Sequence, residues 1–334
     1  MVFVINCEKS SIQIKSNFSM KTVINGGNII SSQSGVFQFI YIVFVLCQRN
    51  DCGGAIFINN YLSNCSIYYC SFERCSISGP NHGGSICIRE SHDVKLHSVC
   101  FHNAVAKFCP GFVIWGHLSK RIQRVSMNYT TDCDHPKCDH NSLCFSLGMS
   151  QVTKSNFSNL FSTVTPGGFL FGSLLPSVIC EYLTFYNIHG KGIITFYPDG
   201  SPEYNEIQYI NVVSCSSESQ LIHSFMPNKC IISKSIFANV TFTAFYYRYS
   251  QGIIDVADCQ FSNSQNGIDF SNCILNNCTF NSIATLIPHR FLDSNKCWSS
   301  ITIAEYTIHN YQPFAISHPI IMIFMEFIIF SHFA

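Results

Sequence analysis

Asp51-Cys-Gly-Gly-Ala-Ile-Phe-Ile-Asn-Asn60, Tyr69-Cys-Ser-Phe-Glu-Arg-Cys75 and His82-Gly-Gly-Ser-Ile-Cys-Ile88 are three pieces of one stretch, residues 51–88, and they decide the fold. A glycine pair opens an alternating apolar run, a Cys-x-Phe run follows, and the glycine pair then returns at Gly83 and Gly84. Sequence that returns to its starting pattern within about 30 residues is the signature of a repeat architecture.

The repeat extends beyond that stretch. An aromatic residue followed two places on by Asn occurs at Phe101/Asn103, Phe157/Asn159, Phe185/Asn187, Tyr209/Asn211, Phe237/Asn239 and Phe261/Asn263. From Asn103 the steps are 56, 28, 24, 28 and 24 residues, so the first covers two periods with one marker degraded, and Met127-Asn128 reads as its remnant. Glycine keeps phase: Gly54 precedes Phe72 by 18 residues, while Gly84, Gly168 and Gly192 precede Phe101, Phe185 and Tyr209 by 17.

A unit of 24–28 residues is shorter than helical repeats, and the chain shows no Leu-x-x-Leu-x-Leu frame. The residues around the markers alternate with period two and are rich in Phe, Tyr, Ile and Val, which argues strand. The expected fold is all-β: a right-handed parallel β-helix of about 9–12 turns, because parallel crossovers are right-handed in nearly all cases. In Cys-x-Phe-x-Asn the three named residues share one strand face. The aromatic side chains should therefore stack inward, with Asn laddering at one corner and Gly serving another.

The domain plan is a cap and first turns over residues 1–51, repeats over 52–297, and a terminal cap or membrane-associated tail over 298–334. Residues 36–47 read as a buried strand pair, being too short to span a bilayer. The start of the chain has no basic region before its four-residue apolar run, so no secretory signal is expected there. Residues 110–144 break the pattern and read as a loop projecting from one turn, with 130–142 outside the solenoid and strands resuming by Leu143. Pro319 and Glu326 interrupt the apolar stretch 314–330, where membrane association would lie.

Charged residues make up only 11% of the 334 and the formal net charge is zero. With Lys120-Arg121 and Arg124 as the densest basic group, nucleic acid is excluded as a partner. Of the 19 cysteines, Cys70, Cys259 and Cys278 stand two places before a Phe, which reads as core packing by free thiols. Cys259 and Cys278 should be stacked neighbours. Six Asn-x-Ser/Thr sequons, at Asn17, Asn64, Asn128, Asn156, Asn239 and Asn277, permit glycosylation in a secretory setting. Cys133, His135, Cys138, His140 and Cys144 are the candidate metal ligands, a thiolate–imidazole set without the Cys-x-x-Cys spacing of a zinc finger. No metal or other cofactor is expected.

The chain resembles parallel β-helix proteins of the pectate-lyase type. The Gly53-Gly-Ala-Ile56 element with its Cys-x-Phe units is similar to the repeats of chlamydial polymorphic outer membrane proteins and to Cys-rich β-helix surface proteins of parasitic protists. Here the second motif is Phe-x-Asn rather than Phe-x-x-Asn. These resemblances imply a surface or extracellular adhesive β-helix whose partner is a host surface or a carbohydrate. A polysaccharide lyase or hydrolase is the alternative, but such enzymes cluster carboxylates, and Asp255 and Asp258 have the odd spacing that faces them apart on a strand. No catalytic residue is assigned. A structural fragment of a larger repeat protein is the third reading.

Overall fold

The computed structural model describes residues 4–287 except 7–10, 16–21, 27, 33, 61, 116–123, 134, 137, 140–141, 147–149, 165–166, 174–176, 199–203, 225–229, 249–252 and 284. The stretch 314–330 lies outside them. Among the described residues there is no helix, and all paired strands run parallel.

The strands form three long sheets of 11, 11 and 10 members. In the rung that opens at Asn64, sheet 1 takes Asn64–Tyr68, sheet 2 takes Ser71–Glu73 and sheet 3 takes Ile86–Arg89. The chain then returns to sheet 1 at Asp93–His97, beside Asn64–Tyr68. Successive passes through three sheets make a β-solenoid, and the sheet sizes give ten or eleven rungs. The pair at 36–47 is Val36–Ile40 in sheet 1 and Ile42–Val45 in sheet 2, as expected.

Sheet 2 builds the core. Phe44, Phe72 and Phe101 are in register and fully buried, with ring centroids 4.7 and 5.1 Å apart and nearly parallel planes. Phe157/Phe185 and Phe237/Phe261 repeat this at 5.2 and 4.8 Å. Parallel in-register strands bring like residues within one strand spacing, so each ring shields its neighbour from water.

Tyr209 does not join this ladder. Val212 pairs with both Phe185 and Phe237, so Tyr209 lies three residues upstream at a corner. The Asn markers also sit differently from expectation. Asn103, Asn159, Asn187 and Asn239 have φ of 50–53°, Asn103 and Asn239 just after a sheet 2 strand and Asn159 and Asn187 within one, and the left-handed backbone turns their side chains out of the core. Asn187 Nδ2 donates to Asn159 Oδ1 at 2.7 Å, the expected amide ladder in one step. Asn263 Nδ2 donates to the Val240 carbonyl at 2.9 Å. Asn211 begins a sheet 2 strand, where its side-chain amide exchanges two hydrogen bonds with the Ile287 backbone.

At the other corner, Gly53 and Gly83 carry the positive φ, 66° and 76°. Gly54 and Gly84 are needed for another reason: a Cβ at Gly84 would lie 2.4 Å from the Pro110 carbonyl oxygen, and one at Gly54 would lie 2.2 Å from that of Gly84. At Gly168 the nearest atom, the Ile193 carbonyl oxygen, would be 2.5 Å away, whereas at Gly192 it would be 3.4 Å away. Gly84→Ala is therefore expected to lower stability by about 3 kcal/mol, since backbone must move. Gly192→Ala should be neutral or slightly stabilising through the unfolded chain. Thermal unfolding of the two variants checks this, and equal losses would show that rung contact does not set the glycine requirement.

Residues 130–142 stay closer to the coil than expected. Thr131–Cys133 is a strand of sheet 2 between Cys100–His102 and Asn156–Phe161. Cys138 bridges Ser162, and the Asp139 N–H donates to the Lys107 carbonyl. Phe112–Trp115 and Arg124–Asn128 are likewise strands, and Ser142–Ser146 resumes sheet 3. The degraded marker is thus Asp132, which occupies the ring position between Phe101 and Phe157. Asn128 instead pairs with His97 in sheet 1.

Candidate ligand-binding face

Two groups of polar residues stand out from the repeat, one inside the coil and one outside it. Inside, the Asp132 and His135 side chains are wholly buried. His135 Nδ1 accepts the Ala104 N–H at 3.1 Å, which leaves Nε2 to donate to Asp132 Oδ1. Asp132 Oδ2 has no partner among the described residues. The carboxylate fits because residue 111 is glycine, where a Cβ would lie 2.2 Å from Oδ1.

Both ring nitrogens of His135, one of the five candidate ligands, are thus engaged within the protein. Cys138 is buried with its thiol directed at the Phe161 carbonyl, 3.4 Å away. Cys133 and Cys144 lie on strands of sheets 2 and 3, but their side chains are outside the described set, as is His140. Among the described residues no three His, Cys, Asp or Glu side chains are placed to hold a metal. Fourteen described cysteines are free thiols and Cys100 is disulfide-bonded. Cys259 and Cys278 are free, stand in direct register beside the Gln260–Thr279 bridge, and share a thiol hydrogen bond.

Outside, the chain turns from sheet 1 to sheet 2 at a corner of one or two residues, the first of which takes the left-handed conformation. Tyr41, Tyr69, Ser98, Tyr129, Lys154, Tyr182, Tyr209, Lys234, Asp258 and Asn277 fill that first position, all with φ of 48–58°. The corner N–H bonds to the next rung: Tyr69 N donates to His97 O at 2.9 Å and Tyr182 N to Gln208 O at 3.2 Å. Asn suits this backbone, whereas a bulky Tyr there is unusual and costs about 1–2 kcal/mol.

The tyrosines form a ridge. Tyr41 and Tyr69 stack at 5.0 Å, and His97 stands edge-on between Tyr69 and Tyr129, 5.4 Å from each. Lys154 Nζ lies 5.0 Å from the Tyr129 ring centre and donates to its hydroxyl at 3.1 Å. Tyr182 and Tyr209 stack at 4.9 Å, and Lys234 Nζ donates to the Tyr209 hydroxyl at 3.0 Å. Burial, with the nearby Lys154 charge, pushes the His97 pKa down, so His97 is a neutral member of the ridge near pH 7. In the stacked pairs Tyr41/Tyr69 and Tyr182/Tyr209 the rings face one another along the coil, so they present edges and hydroxyls at one-rung spacing, about 4.8 Å, while Ser98 and Lys154 separate Tyr129 from them by two rungs on either side.

The ridge borders the outer face of sheet 1, whose strands alternate inward apolar and outward polar residues. Asp93, Lys95, Arg124, Ser126 and Gln151 line a shallow cleft of about 170 Å3 there. Lys95, Ser126, Gln151, Ile179 and Glu206 follow one another in register across five rungs. Glu181, one row over, accepts from Gln208 Nε2 at 2.5 Å. Face and ridge together form one extended strip of hydroxyls, amides, charges and ring edges.

Sequence reading missed the ridge although a signal is present. Tyr41, Tyr69 and Tyr182 each stand three residues before a ladder phenylalanine, and Tyr129 and Tyr209 stand three before Asp132 and Val212. No family model, curated protein or solved structure matches the chain. The functional reading therefore rests on the strip itself.

Proposed function

We propose that this β-solenoid is a non-catalytic recognition protein of a cell surface or extracellular setting. In this reading the sheet 1 face and its tyrosine ridge bind an extended carbohydrate. The observation that carries it is the placement of five tyrosines at left-handed corners, where the fold favours Asn or Gly. Their conformational cost is unmatched by core burial, since Tyr69 is 44% exposed and the other four are half-buried. A comb of hydroxyls and ring edges with zero formal net charge suits a polyol better than a polyanion such as nucleic acid.

The second reading is a polysaccharide-cleaving enzyme on the same face. Glu181 and Glu206 favour it, because they lie on neighbouring rungs of the outer face, and hydrolysis uses such a carboxylate pair. Incubating the protein with cellulose, chitin and pectate separates the two. We expect retention on at least one polymer with no release of reducing ends or unsaturated products. Release that is lost in Glu206→Gln would favour the enzyme, and absence of retention on all of them would remove the carbohydrate reading.

A further inference from the structure

A separate cluster lies on the outer side of sheet 3, away from the ridge. Ile86 and Ile88 point into the main core, so Cys87 and Arg89 face outward. Cys87 is nevertheless buried, in a small second core with Cys52, Cys109 and Val113. The Cys52 and Cys87 thiols are hydrogen-bond partners. Arg89 Nη2 donates to Cys52 Sγ at 2.9 Å. Its guanidinium lies between Phe57 and Trp115, 5.9 and 5.7 Å from the ring centres. No described carboxylate pairs with Arg89. Arg49 closes the other side, Nη1 donating to the Cys52 carbonyl at 2.5 Å.

A guanidinium held between two rings with no carboxylate beside it stabilises negative charge on the acceptor it meets, which here is the sulfur of Cys52. We propose that Cys52 is a hydroperoxide-reactive thiolate and Cys87 its resolving thiol, so that the pair closes as a disulfide beside Arg89. Donation from the Cys87 thiol, then the His82 backbone hydrogen bond and the Arg89 charge, outweigh burial and the Asp51 charge and lower the Cys52 pKa to about 6. The same contact pushes Cys87 up, which keeps it protonated as the donor. Cys52 is itself buried, beneath half-buried Arg49 and Arg89 and next to exposed Asp51, so its reaction requires these side chains to rotate aside for a small oxidant.

In the first step the Cys52 thiolate attacks a peroxide oxygen. An S–O bond forms, the O–O bond breaks, and the departing hydroxide takes a proton and leaves as water. The Cys87 sulfur then attacks Cys52, forming the S–S bond and breaking S–O, and the hydroxyl leaves as a second water with the Cys87 proton. Two thiols lose two electrons and one hydrogen peroxide gives two waters.

The coil contains its own comparison. Cys47 and Cys75 are also partners, but both are fully buried in the main core, and burial raises Cys75 far above the ordinary thiol range. Cys278 also has its pKa lowered to about 6, first by donation from the Cys259 thiol, but among the described residues no cation contributes to it as Arg89 does at Cys52. The experiment exposes the reduced, folded full chain to graded hydrogen peroxide, blocks remaining thiols and maps disulfides by mass spectrometry. The expected result is a Cys52–Cys87 bridge at roughly tenfold lower peroxide than any Cys47–Cys75 bridge. In Cys87→Ser, whose hydroxyl keeps a donor beside Cys52 but cannot resolve it, dimedone should label Cys52 as the trapped sulfenic acid. Arg89→Gln should slow Cys52 oxidation about tenfold while Arg89→Lys retains most of the rate. Oxidation of Cys47 and Cys75 before Cys52, or an Arg89→Gln rate equal to that of the unmodified chain, would overturn the proposal.

Discussion

His135→Ala is expected to be among the most destabilising single substitutions in the coil, at about 3–5 kcal/mol. The Asp132 and His135 side chains have no exposed surface, and the His135 Nε2–H is the hydrogen bond that the Asp132 carboxylate receives. Removing the imidazole leaves a carboxylate in an aromatic core, between the planes of Phe101 and Phe157. It also strands the Ala104 N–H, which His135 Nδ1 now accepts. Replacing both residues by leucine removes the charge together with its partner. That double variant leaves the Ala104 N–H unsatisfied, at about 1–3 kcal/mol, so it should be more stable than His135→Ala. Chemical denaturation of the three proteins measures the order. A double variant less stable than His135→Ala would show that the pair is net stabilising rather than a buried charge held in check.

Phe72→Ala should cost a comparable amount, about 3–5 kcal/mol. Phe72 is fully buried and stacks on both sides, against Phe44 at 4.7 Å and Phe101 at 5.1 Å. Each stacked pair contributes about 0.5–1.5 kcal/mol beyond burial, so the loss should lie toward the upper end. In a solenoid each rung contacts only its neighbours. A cavity at Phe72 should therefore loosen the rungs near residues 40–105 before those beyond 180. Hydrogen exchange of the variant reads this directly. Uniform loss of protection along the whole coil would mean that the rungs unfold as one unit.

Much of the fold was legible because its strongest signal is periodic burial. Phe101, Phe157, Phe185, Phe237 and Phe261 recur where the core needs a ring, and all five are inside. Two positions misled the reading for physical reasons. Tyr209-Ile-Asn211 matches the aromatic-x-Asn marker, yet the ladder residue is Val212, since any apolar side chain can fill one rung of a ring stack. Asp132 was hidden because a charged residue in a segment rich in Cys, His and Asp looks like loop chemistry, and only the pairing of strands shows it facing inward. The rung before it is long, 31 residues from Asp93 to its partner Arg124, while its own runs 25 from Val125 to Ser150, which breaks the period. The strip outside the coil was legible in principle through the constant Tyr-to-ladder offset. Its placement on left-handed corners depends on backbone geometry that residue types alone do not fix.

The central functional claim is that the tyrosine ridge binds. Tyr69→Asn with Tyr209→Asn is the suitable variant, because Asn tolerates φ near 55° and already occupies this corner at Asn277. The decisive measurement is affinity electrophoresis of this double variant and the unmodified chain through gels containing the retained polysaccharide, with thermal midpoints measured alongside. Binding at least tenfold weaker, with an equal or higher midpoint, is the predicted result. Unchanged retardation of the double variant would contradict the account.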